Sequence, residues 1–247
     1  GLTFTSAGDV TFGNDAANDQ VNLTTADVTI ATTGAGDDLT FTSKLDGRFD
    51  LTLNVVGATD FQGAVGSGGT GEIGDATGAA ITINSTGATE FDSTLETQSG
   101  IASANGAGAI TFRGDVTLAA GNTATTLINA VTNLDGLTFT SAGAVTFGND
   151  AANDQVNLTT AAVAITTTGG TSTLTFTSLL DGRQDLTLTA AGATNFEGAV
   201  GSGSGTEIGD GAGAAITINS GGVTEFDSTL ETFSGITSAN AAGNITF

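Results

Sequence analysis

Large apolar residues alternate with threonine in short bursts along the chain. Leu2-Thr3-Phe4, Val10-Thr11-Phe12, Val28-Thr29-Ile30, Leu39-Thr40-Phe41 and Leu51-Thr52-Leu53 open the series. Ile81-Thr82-Ile83, Ile110-Thr111-Phe112 and Val116-Thr117-Leu118 continue it. A period of two held for three to five residues is that of a short strand with one buried face. Gly, Asn, Asp and Ser separate the bursts, as turns require. No window keeps apolar residues at i, i+3 and i+4 long enough for a helix, so the pattern predicts an all-β protein.

The bursts sit inside a larger repeat. Residues 1–112 align without gaps on 136–247, a shift of 135, with 86 of 112 positions identical. GLTFTSAG at 1 returns at 136, FGNDAANDQVNLTTA at 12 returns at 147, and EFDSTLET at 90 returns at 225. The chain therefore divides into a first unit, 1–135, and a second, incomplete unit, 136–247, continuous with it. Apolar bursts return every 18 to 29 residues, at Leu2, Val21 and Leu39 and again, after a 42-residue step, at Ile81, Ile110 and Leu137. That spacing predicts six coils per unit and about eleven in all, with the weakest register over 54–80.

Strands this short cannot bury a face alone and must stack. A chain that turns back every ~20 residues lays each strand parallel to its counterpart in the next coil, about 4.8 Å away. The expected fold is a parallel β-helix, a rod roughly 50 Å long. Proline, which would remove a ladder donor, is absent. Threonine is expected on the outer positions. Five matched pairs, Phe4/Phe139, Phe12/Phe147, Phe41/Phe176, Phe91/Phe226 and Phe112/Phe247, fit the alternation and should point inward. Phe61/Phe196 fit it less well. Phe49 and Phe233, which align with Gln184 and Gln98, should be peripheral.

Composition narrows the chemistry. Gly contributes 38 of 247 residues, whereas Pro, Cys, Met, Trp, Tyr and His are all zero. Without His or Cys there is no imidazole base, no thiolate and no ordinary zinc or haem site, so an enzyme is not expected. Four cations, Lys44, Arg48, Arg113 and Arg183, oppose 26 carboxylates, for a net charge of −22. Such a charge repels phosphate backbones and anionic headgroups, which argues against nucleic-acid and membrane-surface partners. No run of 18 apolar residues would span a bilayer as a helix, and strands this short without aromatic girdles do not suit a transmembrane barrel. Gly1 and Phe247 both fall inside a repeat. The array is therefore expected to continue in both directions, within a longer polypeptide or by end-to-end stacking of identical subunits.

DLTLNVVGATDFQGAVG at 50–66, DLTLTAAGATNFEGAVG at 185–201 and GAITFRGDVTLAAG at 108–121 resemble the repeats of giant bacterial surface proteins of the filamentous-haemagglutinin and autotransporter-passenger type. The resemblance covers essentially the whole chain. It implies a right-handed parallel β-helix, secretion to the cell surface, and a role as a stalk, adhesin or matrix fibre, with a surface or carbohydrate ligand among its partners.

Several residue groups are candidates for chemistry. Asp15, Asn18 and Asp19, with Asn14, recur as Asp150, Asn153 and Asp154, with Asn149. Oxygen ligands that close in sequence could hold Ca²⁺, although the loop matches neither an EF-hand nor the GGxGxD repeat, and turn chemistry accounts for the same residues. Divalent cations could also bridge neighbouring acidic rods laterally. Asp46-Gly47-Arg48 and Asp181-Gly182-Arg183 read as turns with a local ion pair. The carboxylate pairs Glu72/Asp75 and Glu90/Asp92 could act on polysaccharides, but no aromatic platform or cationic clamp adjoins them in sequence. Thr-x-Thr pairs such as Thr3/Thr5 and Thr40/Thr42 raise ice binding, against which the uneven repeat spacing argues. The expected function is that of an extracellular structural or adhesive β-solenoid.

Overall fold

The computed structural model describes residues 1–15, 18–69, 71–119, 124–150, 154–203, 205–239 and 242–247. Among them the regular elements are all β-strands, two to five residues long, and they pair in parallel. The chain winds through three faces per turn. The first face holds eleven strands, from Leu2–Ser6 and Val28–Thr32 to Ile245–Thr246. The second holds eight, from Val10–Phe12 to Leu179–Asp181, and continues through the bridges Leu180–Val200 and Val200–Leu230. The third starts with Gln20–Leu23 on Lys44–Gly47 and passes through Leu45–Val65–Leu95 to seven further strands ending at Gly235–Ser238.

Eleven strands on one face span ten turns. The fold is the expected parallel β-solenoid, one turn shorter than the spacing predicts. The unit is also not six coils. Val145–Phe147 lies six turns after Leu2–Ser6 on the first face. Thr138–Ser141, which carries the sequence of Leu2–Ser6, lies one face earlier, on the third. The 135-residue step is therefore six turns less a third. The second copy stands rotated by about one face relative to the first, so Val10–Phe12 on the second face becomes Val145–Phe147 on the first.

Rotation splits the aromatic core into two columns. Phe12, Phe41, Phe61, Phe91 and Phe112 stack under the second face, with centroids 5.1, 4.8, 4.8 and 5.3 Å apart. Phe147, Phe176, Phe196, Phe226 and Phe247 stack under the first face at 5.2, 4.9, 4.6 and 5.4 Å. Phe139, on the third face, joins them edge-on, 6.0 Å from Phe112 and 5.9 Å from Phe147. Phe4 meets Phe12 in the same edge-on way at 5.7 Å. Leu, Ile and Val from all three faces fill the remaining core.

Three expectations about these side chains need correction. Phe61 and Phe196, the poor fits, sit fully buried in mid-column. Phe4 is 41% exposed, Phe12 half-buried and Phe247 79% exposed, because they lie in the first and last described turns, which have a neighbouring turn on one side. Thr59, Thr89, Thr194 and Thr224 point inward rather than outward. In the segments ATDF, ATEF, ATNF and VTEF the threonine takes the core position that Leu or Val holds in LTF and VTF, and the acid or amide faces out. Phe233 is peripheral as predicted, at 52% exposure, whereas Phe49 packs partly against the core. The poor register over 54–80 corresponds to an excursion after Val65 that returns to the sheet at Ile73.

Removing one ring from a full column leaves a cavity that neighbours fixed by the ladder cannot collapse into. Phe91→Ala should lower unfolding free energy by ~3–5 kcal/mol in urea titration, and Phe233→Ala by less than about 1. The hydroxyls of Thr59 and Thr89 are buried with no hydrogen-bond partner. Thr89→Val removes that desolvated donor and should raise stability by roughly 1 kcal/mol in the same assay.

Candidate functional site

Aspartates placed just before strands build axial ladders. Asp27 Oδ1 accepts the Asp50 N–H at 3.2 Å, and Asp50 Oδ1 accepts that of Asp75 at 3.4 Å. Asp9 accepts from Asp38 at 3.0 Å, Asp38 from Ala58 at 2.7 Å, and Asp185 from Asp210 at 3.2 Å. Each of these carboxylates satisfies a corner amide one turn away. Like charges then stack along the axis. Burial, with Asp75 and Asp27 on either side, raises the Asp50 carboxyl to about 6.

In the loops whose oxygens could hold Ca²⁺ or serve turn chemistry, the polar groups bond one another. Asp19 Oδ2 accepts the Asn14 N–H at 3.0 Å, Asp19 N–H donates to the Asp15 carbonyl at 3.1 Å, and Asn18 Nδ2 donates to Asp15 Oδ2 at 2.6 Å. In the second copy Asp154 Oδ2 accepts from the Asn149 and Asp150 amides at 2.7 and 3.1 Å. Asn153 lies outside the described residues. These bonds are those of a capped turn. Among the described residues, no group of three or more His, Cys, Asp or Glu has a spacing that could hold a metal ion.

The Asp-Gly-Arg segments are not turns with an internal ion pair. Lys44–Gly47 is a strand, and Asp46 pairs with Lys44 Nζ at 2.7 Å, while Arg48 Nη2 donates to the Gly69 carbonyl at 3.2 Å. Gly47 adopts φ +139 against the Leu23 backbone, and Gly182 φ +128 against Leu158, so a Cβ has no room at either position. The excursion from Val65 folds back over the outer side of this strand. Ser67 Oγ donates to Asp46 Oδ2 at 3.1 Å and Gln20 Nε2 donates to the same oxygen. Asp46 is left 4% exposed, and its Oδ1 has no partner. Beside it opens a cleft of about 470 Å³, lined among others by Gln20, Asn22, Asp46, Arg48, Phe49 and Ser67. A smaller hollow of about 220 Å³ continues past Arg48 to Asp75 and Gln98.

The carboxylate pairs acquire partners that sequence neighbours do not supply. Arg113, one turn from Glu90 and Asp92, bridges both, and these two bonds raise its own pKa further; its Nε also lies 3.8 Å from Asp135. Gln98 donates to Glu72, and the Thr77 hydroxyl and amide hold Asp75 below the usual carboxylate range. Outward threonines form columns despite uneven coil lengths, because the corners absorb the difference. On the first face Thr3, Thr29, Thr52 and Thr82 stack in register, and on the third Thr117, Thr140, Thr166 and Thr189 do. The third face carries a second rank through Thr187, Thr217 and Thr237.

No protein-family model, curated protein or solved structure matches the chain. Its architecture is that of β-helix repeat proteins in general.

Because the Asp50 carboxyl titrates higher in the folded chain than its ordinary 3.8, the fold gains stability from this group below that value and loses it as pH rises through about 6. Asp50→Asn keeps the acceptor for the Asp75 amide and removes the charge. Its thermal midpoint should exceed that of the parent at neutral to mildly alkaline pH, and the gain should vanish on acidification. A gain independent of pH would contradict the assignment.

Proposed function

We propose that this chain is an extracellular structural and adhesive β-solenoid, a rod-like segment of a bacterial surface fibre, stalk or matrix filament of the filamentous-haemagglutinin or autotransporter-passenger type. The observation that carries the reading is the unbroken axial ladder: three parallel faces and two phenylalanine columns running along one rod. Such a rod gains nothing from a moving part. Its strands resist extension because backbone hydrogen bonds along the axis share the load, and its charge keeps it soluble. Exposed strand edges at the first and last described turns are surfaces on which further turns, of the same chain or a second copy, would add. The reading is non-catalytic, and it is supported by the partners that Glu90, Asp92, Glu72 and Asp75 already hold.

The threonine ranks of the third face, whose hydroxyls repeat at ~4.8 Å along the axis and which meet in the strand Leu186–Ala190, favour a second reading, an ice-ordering surface. Thermal hysteresis decides between the two. The fibre reading expects none, and ice crystals arrested at micromolar protein would transfer the function to that face.

Gold-labelled antibodies raised against the chain should decorate the surface of intact cells and of filaments shed from them, in electron micrographs. Label confined to permeabilised cells would overturn the reading. Divalent cations are expected to hold neighbouring acidic rods together laterally, so EDTA should disperse bundles while leaving single filaments intact. Bundles that persist in EDTA would rule out cation bridging.

A further inference from the structure

Charge is spread unevenly between the two sequence copies. In the second copy the stretches 137–148, 161–177, 186–196, 214–224 and 235–247 contain no Asp, Glu, Lys or Arg. Each stretch runs along a third-face strand, round one corner and on to the first face, so the five stack into a single uncharged surface. Asp185 and Asp210 mark one edge of it, and Glu197, Glu225 and Asp227 the other. The first copy places aspartate inside the equivalent surface. Asp9, Asp37, Asp38 and Asp60 stand where the second copy has Ala144, Ser172, Thr173 and Asn195. There Asp37 Oδ2 accepts the Gly34 N–H at 2.7 Å, beside the ladder from Asp9 through Asp38 to Ala58. The second copy lacks these carboxylates, and a hollow of about 290 Å³ opens in its corner, lined among others by Ala142, Ala144, Gly169, Gly170 and Ser172. It also gains an apolar side chain. Val223, 44% exposed, takes the place of Ala88 in the same corner two turns further on.

We propose that this uncharged surface pairs with the same surface of a second copy of the chain, the two rods lying side by side and antiparallel. Each rod carries a net charge of −22, so contact on most sides sets carboxylate against carboxylate within the ~8 Å that salt leaves unscreened. The second face presents Asp60, Glu90 and Asp92, and the corner before the first face presents Asp27 and Asp50. The second copy's third face, with its adjoining corner, avoids that repulsion. Residues 138–147 at ~3.3 Å each, over five turns at ~4.8 Å, give a surface of up to about 800 Å². A standard interface takes ~800 Å² from each partner. Shape sets the polarity. Ala191-Gly192-Ala193 lies in the corner between the hollow and Val223, which are ~10 Å apart along the axis. A two-fold axis through that tripeptide seats Val223 of each rod in the hollow of the other. It also sends the two first copies, with their extra aspartates, in opposite directions. A parallel pair would set Val223 on Val223 and first copy beside first copy. An isologous contact of this kind closes at two rods, and cation bridging then joins the acidic sides of such pairs. The inference deepens the fibre reading and rests on it for its setting, yet the two fail apart: a chain that labels cell surfaces but stays monomeric keeps the first and loses the second.

Sedimentation equilibrium of the whole chain, in EDTA at physiological salt, tests the pair. The mass should rise with concentration from the 24.0 kDa of one chain to twice that value, with a dissociation constant on the order of ten micromolar. Added NaCl should tighten the pair by screening the remaining repulsion. A variant that restores the aspartates of the first copy, Ala144→Asp with Ser172→Asp, Thr173→Asp and Asn195→Asp, should weaken association at least tenfold. Its circular dichroism should match the parent, because the first copy already folds with aspartate at these places. Polarity is read by cross-linking. The chain has no cysteine, and a Cβ added at Gly170 meets open space. Gly170→Cys combined with Val223→Cys should therefore give disulfide-linked pairs under mild oxidation, and neither change alone should. A chain that stays monomeric to its solubility limit overturns the proposal, as does association undiminished by the four aspartates. A pair that forms only when Ca²⁺ replaces EDTA is a cation bridge and overturns it too. Equal cross-linking by Val223→Cys alone sets the rods parallel and rules out the two-fold contact.

Discussion

In a stack of parallel strands ~4.8 Å apart, each side chain must sit on whatever residue the next turn places in its register. Every other property of this protein follows from meeting that constraint. Apolar residues meet it gladly. Phenylalanine over phenylalanine at 4.6–5.4 Å makes an offset stack that no single three-residue strand could build. Carboxylates meet it at a cost. Asp27, Asp50 and Asp75 align along the axis, each accepting an amide from the next, and the middle one answers by holding its proton to a pH near 6. Where two acids share one patch, at Glu90 and Asp92, a cation from the following turn bridges them.

The same constraint explains how a duplicated sequence survives a change of face. Residues 1–112 and 136–247 are three-quarters identical, yet equivalent strands lie a third of a turn apart. A strand that alternates apolar and polar positions is satisfied on any of the three faces, provided its neighbours above and below alternate in the same register. Phe139 shows what happens at the seam. It inherits the place of Phe4, and it turns its ring edge to one aromatic column and to the start of the next. Variation in coil length passes into the corners, so the threonine ranks stay straight while the loops between them grow or shrink.

Loops are also where the copies diverge. The strands carrying Asp46 and Asp181 share a glycine at positive φ that lets the chain pass the backbone of the neighbouring turn, but Lys44, the ion-pair partner of Asp46, is Leu179 in the second copy. Gly71 against Thr206 lies in the excursion that folds back over those strands, and Phe49/Gln98 against Gln184/Phe233 lie at corners just past strands. Ala76 belongs to the same set. It holds φ +69 where Gly211 holds +88, and the second copy needs glycine there because the Phe233 ring lies against it.

The amino-acid sequence by itself determined the strand class, the parallel stacking, the tandem copies and the inward face of most phenylalanines, because alternation and turn residues act within a few positions of one another. Only the tertiary structure decided which residue covers which. Thr59 and Thr89 turn inward because Phe61 and Phe91 must join the column two positions on, so the acid between them faces out. Asp46 becomes buried because residues far along the chain fold over it, and Arg113 finds Glu90 and Asp92 because a turn is about that long. Even the number of turns per copy is a sum over corner lengths, and a sum of small local differences is settled only when the whole stack closes.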